Sequence, residues 1–348
     1  MDVTPPIACS RWPARLLKTI VLVGWLLTIF APQALSQALG PTAPPGASTD
    51  EGALSDWIEA IFTLTAGYRT DKLNWHIAGN LQGTAPDVLS ELTWTGLEIF
   101  ELKLANRTVV GKRFHLRGHL DYGTVISGDN RDSDYAGDNR TQEFSRSLNG
   151  VNGHNVWDGS VGAGPGFAFF ESSLTICPMI GYAVSEQDLN IVDGNQVFTA
   201  PPATTPTGPF ESLDSRYQTR WTGPWVGLDL LFSAPWTQGP FTAVDVRFTG
   251  EYHRLGYDAE ANWNLRSDFN HPVSFVHEAD GEGFAAGAAI RLAMQHRWGI
   301  HVGMQLREMT AGNGVDRTFY ADGSVVETRL TDVRWRTFSL QAGLSCRF

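Results

Sequence analysis

Long stretches of this chain alternate between apolar and polar residues, and that pattern limits the fold more than any other feature. In 114–126, Phe114, Leu116, Leu120, Tyr122 and Ile126 fall on one face, and His115, Arg117, His119 and Asp121 on the other. In 298–307, Trp298, Ile300, Val302, Met304 and Leu306 alternate with Gly299, His301, Gly303, Gln305 and Arg307. In 241–253, Val244, Val246, Phe248 and Tyr252 oppose Asp245, Arg247, Glu251 and His253. A period of two is the signature of a β-strand, and helical spacing is scarce along the chain. These segments are long for soluble strands, and their polar faces carry full charges. A soluble sandwich turns the apolar face inward. A transmembrane barrel turns it to lipid and lines its lumen with the polar face.

Composition favours the barrel. Of 348 residues, 36 are Gly and 12 are Trp, while only 18% are charged and 42% hydrophobic. A barrel wall is apolar on one face only, so mean hydropathy stays near that of a soluble protein, here −0.16. That value, with a single long apolar run, excludes a multi-helix membrane protein. The net charge of −11 argues against a nucleic-acid partner, which demands a basic face. Trp94, Trp157, Trp221, Trp225, Trp236 and Trp298 fall near the ends of alternating segments, where interface girdles are expected.

The first 36 residues read as a secretory leader. Arg11, Arg15 and Lys18 precede the apolar run Ile20 to Phe30, and Ala34-Leu35-Ser36 supplies small residues for cleavage after Ser36. The run is shorter than the roughly 20 residues of a spanning helix, which sets aside an uncleaved anchor. Residues 37–55, with Pro41, Pro44 and Pro45, read as a flexible linker, leaving 56–348 as the barrel. Cleavage removes Cys9 and leaves Cys177 and Cys346, an even count that does not by itself make a bridge.

The expected fold is all-β: a ten-stranded antiparallel transmembrane barrel. Its strands fall near 57–69, 90–104, 113–127, 156–170, 173–186, 215–232, 240–254, 283–293, 297–308 and 332–348. Connections alternate between short and long, as periplasmic turns and outer loops do. The long ones are 70–89, 128–155, 187–214, 255–282 and 309–331. A ten-stranded lumen is narrow and filled largely by side chains. Charges expected to face inward and neutralise one another include Glu91, Glu101, Lys103, Arg117, Asp121 and Arg216, then Arg220, Asp245, Arg247, Glu251 and Arg291.

Several segments, in order, resemble the omptin family of outer-membrane proteases. They are Ser90-Glu91-Leu92-Thr93-Trp94, Asp132-Ser133-Asp134-Tyr135, Tyr217-Gln218-Thr219-Arg220-Trp221 running into Pro224-Trp225-Val226-Gly227-Leu228, and the terminal Phe348 on an alternating last strand. Residues 132–147 are also similar to the Protochlamydia outer membrane protein family, barrel proteins with surface or porin roles proposed for some.

The omptin resemblance implies a groove at the barrel top, with an Asp pair on one side and an Asp-His pair on the other. The His acts as general base toward water, and the carboxylates orient it and hold the water. Asp132 and Asp134 match the first pair, and positions two apart on a strand point the same way. A solvated acidic loop reads equally from these residues, since Asp129 and Asp138 lie close by. An ungapped alignment from Phe248 places Asp258, Glu260 and Asn262 at the second motif. The base position is then an amide, which takes no proton at pH 7. His271, three after Asp268, is the displaced candidate, and His277 beside Glu278 a second. The resemblance also implies lipopolysaccharide on the outer wall. Arg220 matches one such position, while Tyr182-Ala183-Val184-Ser185-Glu186 lacks the companion Arg, and a rim or lumen-facing structural Arg220 is the alternative.

Other chemistry is weakly signalled. There is no phosphate loop and no CxxC pair, and the nine His are scattered, so no cofactor or metal is expected. Gly162-Ala163-Gly164-Pro165-Gly166 lies within a strand, where glycine relieves crowding or kinks a barrel. Expected partners are outer-membrane lipid, lipopolysaccharide by resemblance, and an extracellular protein or host surface. Three functions stay open: an omptin-like surface barrel without protease activity, an aspartic-type endopeptidase using Asp132, Asp134, Glu260 and His271, and a small porin.

Overall fold

A computed structural model describes residues 57–236 and 238–348. The leader over 1–36 and the linker over 37–55 lie outside the described residues. The strands are β1 (Ile58–Ile77), β2 (Ser90–Val110), β3 (Phe114–Gly137), β4 (Thr141–Gly150), β5 (Asn155–Pro165), β6 (Phe167–Phe169), β7 (Leu174–Thr199), β8 (Gly208–Pro209), β9 (Ser215–Pro235), β10 (Phe241–Asn262), β11 (Phe275–Met294), β12 (Trp298–Phe319) and β13 (Val325–Arg347). All pair antiparallel, and the ring closes where β1 pairs with both β2 and β13. β3 pairs with β5 near the short turns and with β4 farther out, and both of these pair with β7. β4 and β5 thus share one place, giving ten places around the ring, as the alternation predicts. Closure leaves no unpaired edge, the requirement for crossing a bilayer with strands.

The strands are longer than expected. β3 has 24 residues, β7 has 26 and β10 has 22, whereas crossing a bilayer takes about 9–11. Of the segments expected as loops, 128–155, 187–214, 255–282 and 309–331 are more than half strand, and 70–89 is strand through Ile77. The connections that remain include 78–89, 200–214, 263–274 and 320–324. A tube of sheet therefore continues well past the bilayer on the side of the long connections.

Its two halves have opposite chemistry. Near the short turns Leu64, Phe100, Leu102, Ile180, Phe284 and Leu340 stand exposed on the outside, and the inside is polar. Inward ions pair there: Lys103 with Asp121 at 3.1 Å, Arg291 with Asp245 at 3.0 Å, and Arg117 with both Asp229 and Glu251. Farther out the inside is an apolar core that includes Leu73, Trp75, Leu92, Trp94, Tyr217, Trp221, Tyr257 and Trp335. The outside there carries Lys72, Arg216, Arg254, Arg334 and Arg336. Between the halves lies a layer of buried ions. Asp158 binds Arg69 and Arg307, and Asp71 accepts from Arg69, Gln187 and Trp335. Both guanidiniums lie over the Trp335 ring.

Two expectations are corrected here. Trp94, Trp221 and Trp225 are at most 2% exposed and fill the interior, whereas Trp236 and Trp298 stay exposed near the short turns. Gly162 and Gly181 make room for Trp225, since a Cβ on either would collide with its indole. Glu91, Arg216 and Arg220, expected to face inward, face outward. Glu91 binds Arg131 and Arg140, Arg216 binds Asp188, and Arg220 binds Glu186. Cys177 and Cys346 are both free thiols.

Bulges decide which side chains enter the outer half. In β3, His115 to Val125 face inward at odd positions; after the irregularity near Ser127, Asn130 and Asp132 face inward at even ones. β2 shifts in the same place, from Ile99 and Leu97 to Trp94 and Leu92. A bulge adds one residue to one strand and reverses which face each later side chain takes. β10 keeps an unbroken register with β9, and its inward positions remain odd through Leu255, Tyr257, Ala259 and Ala261.

Candidate functional site

The Asp pair lies on the outer extension of β3, with both side chains turned inward. Asp132 stands opposite Leu92 on β2 and Ser147 on β4; Asp134 stands opposite Ser90 and Ser145. The hydroxyls of Ser90 and Ser145 donate to Asp134. Asp132 is half-buried, but its Oδ1 is enclosed and has no hydrogen-bond donor. Burial raises both acids above the usual carboxylate range, and the charge of Asp134 raises Asp132 further. Arg266, from the connection 263–274, is the cation that opposes the rise at both. An enclosed oxygen, two neighbouring acids and serine donors suit proton sharing or water positioning.

The rest of the expected catalytic set is not brought to this pair. Tyr257, Ala259 and Ala261 are the inward residues of β10, so Asp258, Glu260 and Asn262 are carried on its outer face. Glu260 is raised by burial and opposed by outward-facing Arg216. His271 does reach Asn262: its Nδ1 lies 2.9 Å from Asn262 Oδ1, and its Nε2 lies 3.2 Å from the backbone oxygen of Arg266. A proton on Nδ1 would be donated to Asn262 Oδ1, and one on Nε2 to the Arg266 carbonyl. Both ring nitrogens thus lie against protein oxygens. Asp268, the expected orienting acid, instead holds Arg266 through two hydrogen bonds of 2.9 and 2.8 Å, and Arg266 covers the Phe269 ring.

His277 is enclosed in the aromatic core. Its Nδ1 lies 2.8 Å from Tyr217 Oη, which lies 2.6 Å from Tyr257 Oη, and its Nε2 lies 3.2 Å from Asp316. Thr328 donates to the same carboxylate at 2.9 Å. Sequence reasoning missed this cluster, although Tyr217, Trp221 and Trp225 share the odd parity of inward residues on β9. Arg220 sits on the outer wall, 3.2 Å from Glu186, which also accepts from Trp157 Nε1 at 2.7 Å. The Glu186 that replaces a companion Arg is therefore the partner of Arg220. No group of three or more metal-ligating side chains occurs among the described residues.

A closed antiparallel ring with an apolar outer belt and a long outer extension defines an outer-membrane β-barrel of omptin-like fold. The outer-membrane protease OmpT of Escherichia coli superposes with a TM-score of 0.65 at 13% identity, over 84% of this chain and 97% of that one. The translocator domain of the autotransporter NalP of Neisseria meningitidis matches at 0.34 and 10% identity, over 95% and 98% of the two chains. The attachment invasion locus protein Ail of Yersinia pestis matches at 0.25 and 11%, over 83% and 99%. No curated protein sequence matches. The profile of the Protochlamydia outer membrane protein family matches residues 63–348, and the chain belongs to that family.

Proposed function

We propose that this protein is an omptin-like surface barrel of the outer membrane that neither cleaves peptides nor conducts solutes. The observation that carries the reading is the filled interior. Trp75, Trp94, Tyr217, Trp221, Tyr257 and Trp335 are each at most 2% exposed and occupy the outer half of the lumen. An aqueous path through that layer would separate stacked rings such as Trp94 and Tyr217, 5.1 Å apart. The geometry around the acids supports the same reading. Asp132 and Asp134 face inward, Glu260 and Asn262 face outward, and the ring nitrogens of His271 are engaged. The outer connections then serve contact with an extracellular protein or a host surface, and the outward Arg220 lies where a lipopolysaccharide headgroup would pass. The leader over 1–36 and the linker over 37–55 belong to this reading, with cleavage after Ser36. Mass spectrometry of protein extracted from the outer membrane is expected to find Gln37 as the first residue.

The deciding assay uses the refolded barrel in detergent with added lipopolysaccharide. Dibasic peptides are expected to survive, and planar bilayers are expected to show no discrete conductance steps. Cleavage that disappears in Asp134→Asn would establish the endopeptidase instead, and reproducible unitary steps would establish a pore.

A further inference from the structure

Below the aromatic layer, toward the short turns, the lumen holds a cavity of about 140 Å³. A cavity of roughly 150 Å³ admits a benzene-sized molecule. The chamber therefore has room for about six heavy atoms and excludes a nucleotide or a sugar chain. Ile61, Arg107 and Ser233 of its lining lie within a few residues of the ends of β1, β2 and β9, so it is approached from the periplasmic side.

Its ionic pairing leaves cations over. Of the lining carboxylates, Asp245 is held by Arg291 at 3.0 Å, and Glu251 by Arg117 at 2.8 Å and His253 at 2.9 Å. Asp229, which also faces the group, is held by Arg117 at 3.1 Å. Arg107 and Arg247 line the same chamber and have neither a carboxylate within 4.0 Å nor a hydrogen-bond partner among the described residues. The groups facing Arg247 are the acids Asp229 and Glu251, both engaged by Arg117, and the cations Arg107 and Arg117. Arg117 itself keeps an enclosed Nη2 without a partner. Three guanidiniums thus face two carboxylates in a partly enclosed space, where Arg107 and Arg247 are half-buried. An unpaired buried charge is costly, and the forked donors of guanidinium match a tetrahedral oxyanion.

We propose that the chamber binds one small oxyanion of the phosphate or sulfate type, held by Arg107 and Arg247 with the free Nη2 of Arg117. The site is independent of what the outer face does. It is a blind pocket, because the aromatic layer closes its outer end.

Calorimetric titration of the refolded full-length barrel in a maltoside detergent, at constant ionic strength, tests this. Inorganic phosphate is expected to bind saturably at one site per barrel, and sulfate to compete. Arg247→Gln and Arg107→Gln are each expected to weaken binding at least about tenfold while keeping the heat-modifiable mobility of a folded barrel. Glycerol phosphate binding tighter than inorganic phosphate assigns a phosphomonoester headgroup, and weaker binding assigns the free ion. Absence of saturable heat with either at millimolar concentration overturns the proposal, as does binding unchanged in both variants. If one variant fails to fold, the other variant and the sulfate competition in the native chain decide between these outcomes.

Discussion

The inner and outer halves of the barrel run on the same strands and solve opposite problems. On β10 the lower stretch turns Asp245, Arg247 and Glu251 inward and Phe248 outward; the upper stretch turns Leu255, Tyr257 and Ala259 inward and Arg254 and Asp258 outward. The lower half has lipid outside, so burial favours an apolar exterior. The upper half has water outside, so the hydrophobic effect drives its apolar faces together in the middle. The backbone ladder continues without interruption while the solvent changes, and the residues change sides with it. What a strand buries is set by the medium at each height, and the crossover is marked by the paired ions of Arg69, Asp71, Asp158 and Arg307.

The largest way to break this contrast is to hollow the outer core. Trp94→Ala removes a fully enclosed ring stacked on Tyr217 and is expected to cost about 3–5 kcal/mol. Limited proteolysis should then cut the extension while the lipid-embedded half stays protected. Next is the crossover layer. Asp158→Asn leaves Arg69 and Arg307 without their shared carboxylate, and about 3 kcal/mol should be lost in denaturant titration. A smaller effect of opposite sign is expected at the acidic pair. The folded chain binds protons at Asp132 and Asp134 more tightly than the unfolded chain does. The resulting stabilisation is complete below the ordinary carboxylate pKa of about 4 and fades as pH rises through the higher folded value. The contribution of this pair, read as the difference in melting temperature between the native chain and Asp132→Asn, should therefore be more favourable at acid pH than at neutrality. Asp132→Asn should raise the neutral-pH melting temperature by a few degrees and flatten the pH dependence. A native-minus-variant difference that does not change between acid and neutral pH would contradict the assigned burial. The smallest effect lies on the outer face of β10. Asn262→His supplies the imidazole the omptin motif lacks, yet there it should leave stability within about 0.5 kcal/mol and produce no peptide cleavage.

Much of the fold was legible. Alternation with charged polar faces gave the strand type, the apolar face of those strands implied lipid as the outer solvent, and the alternating connection lengths gave ten places in the ring. The outer extensions were not legible, because β3 and β4 carry polar residues on both faces there. Ser145, Ser147 and Asn149 face inward beside outward Arg146, a pattern that reads as loop. The girdle reading of Trp94 and Trp221 failed because height along a strand says nothing about direction; the odd parity of Trp221 did, whereas Trp94 turns inward only through the irregularity in β2. At the candidate site, the parity of β10 already placed 258, 260 and 262 on the face of Phe248, against their alignment with a groove motif. The inward turn of Asp132 and Asp134 had no comparable signal. By parity with Ile126 they belong outside, and only the irregularity near Ser127 brings them in.

That bulge makes the location of the acidic pair a matter of residue count. Removing one residue between Ile126 and Asn130 on β3, together with one between Thr95 and Glu98 on β2, would restore unbroken alternation in both strands and turn Asp132 and Asp134 to the water outside, with every side chain of the pair unchanged. Inserting one residue into β10 between His253 and Tyr257 would carry Glu260 and Asn262 to the interior and expel Tyr257 from its contact with Tyr217. Among relatives of this fold, single-residue insertions and deletions at the crossover height are therefore as consequential as substitutions at the acids. A gain or loss of groove chemistry can be written in spacing alone.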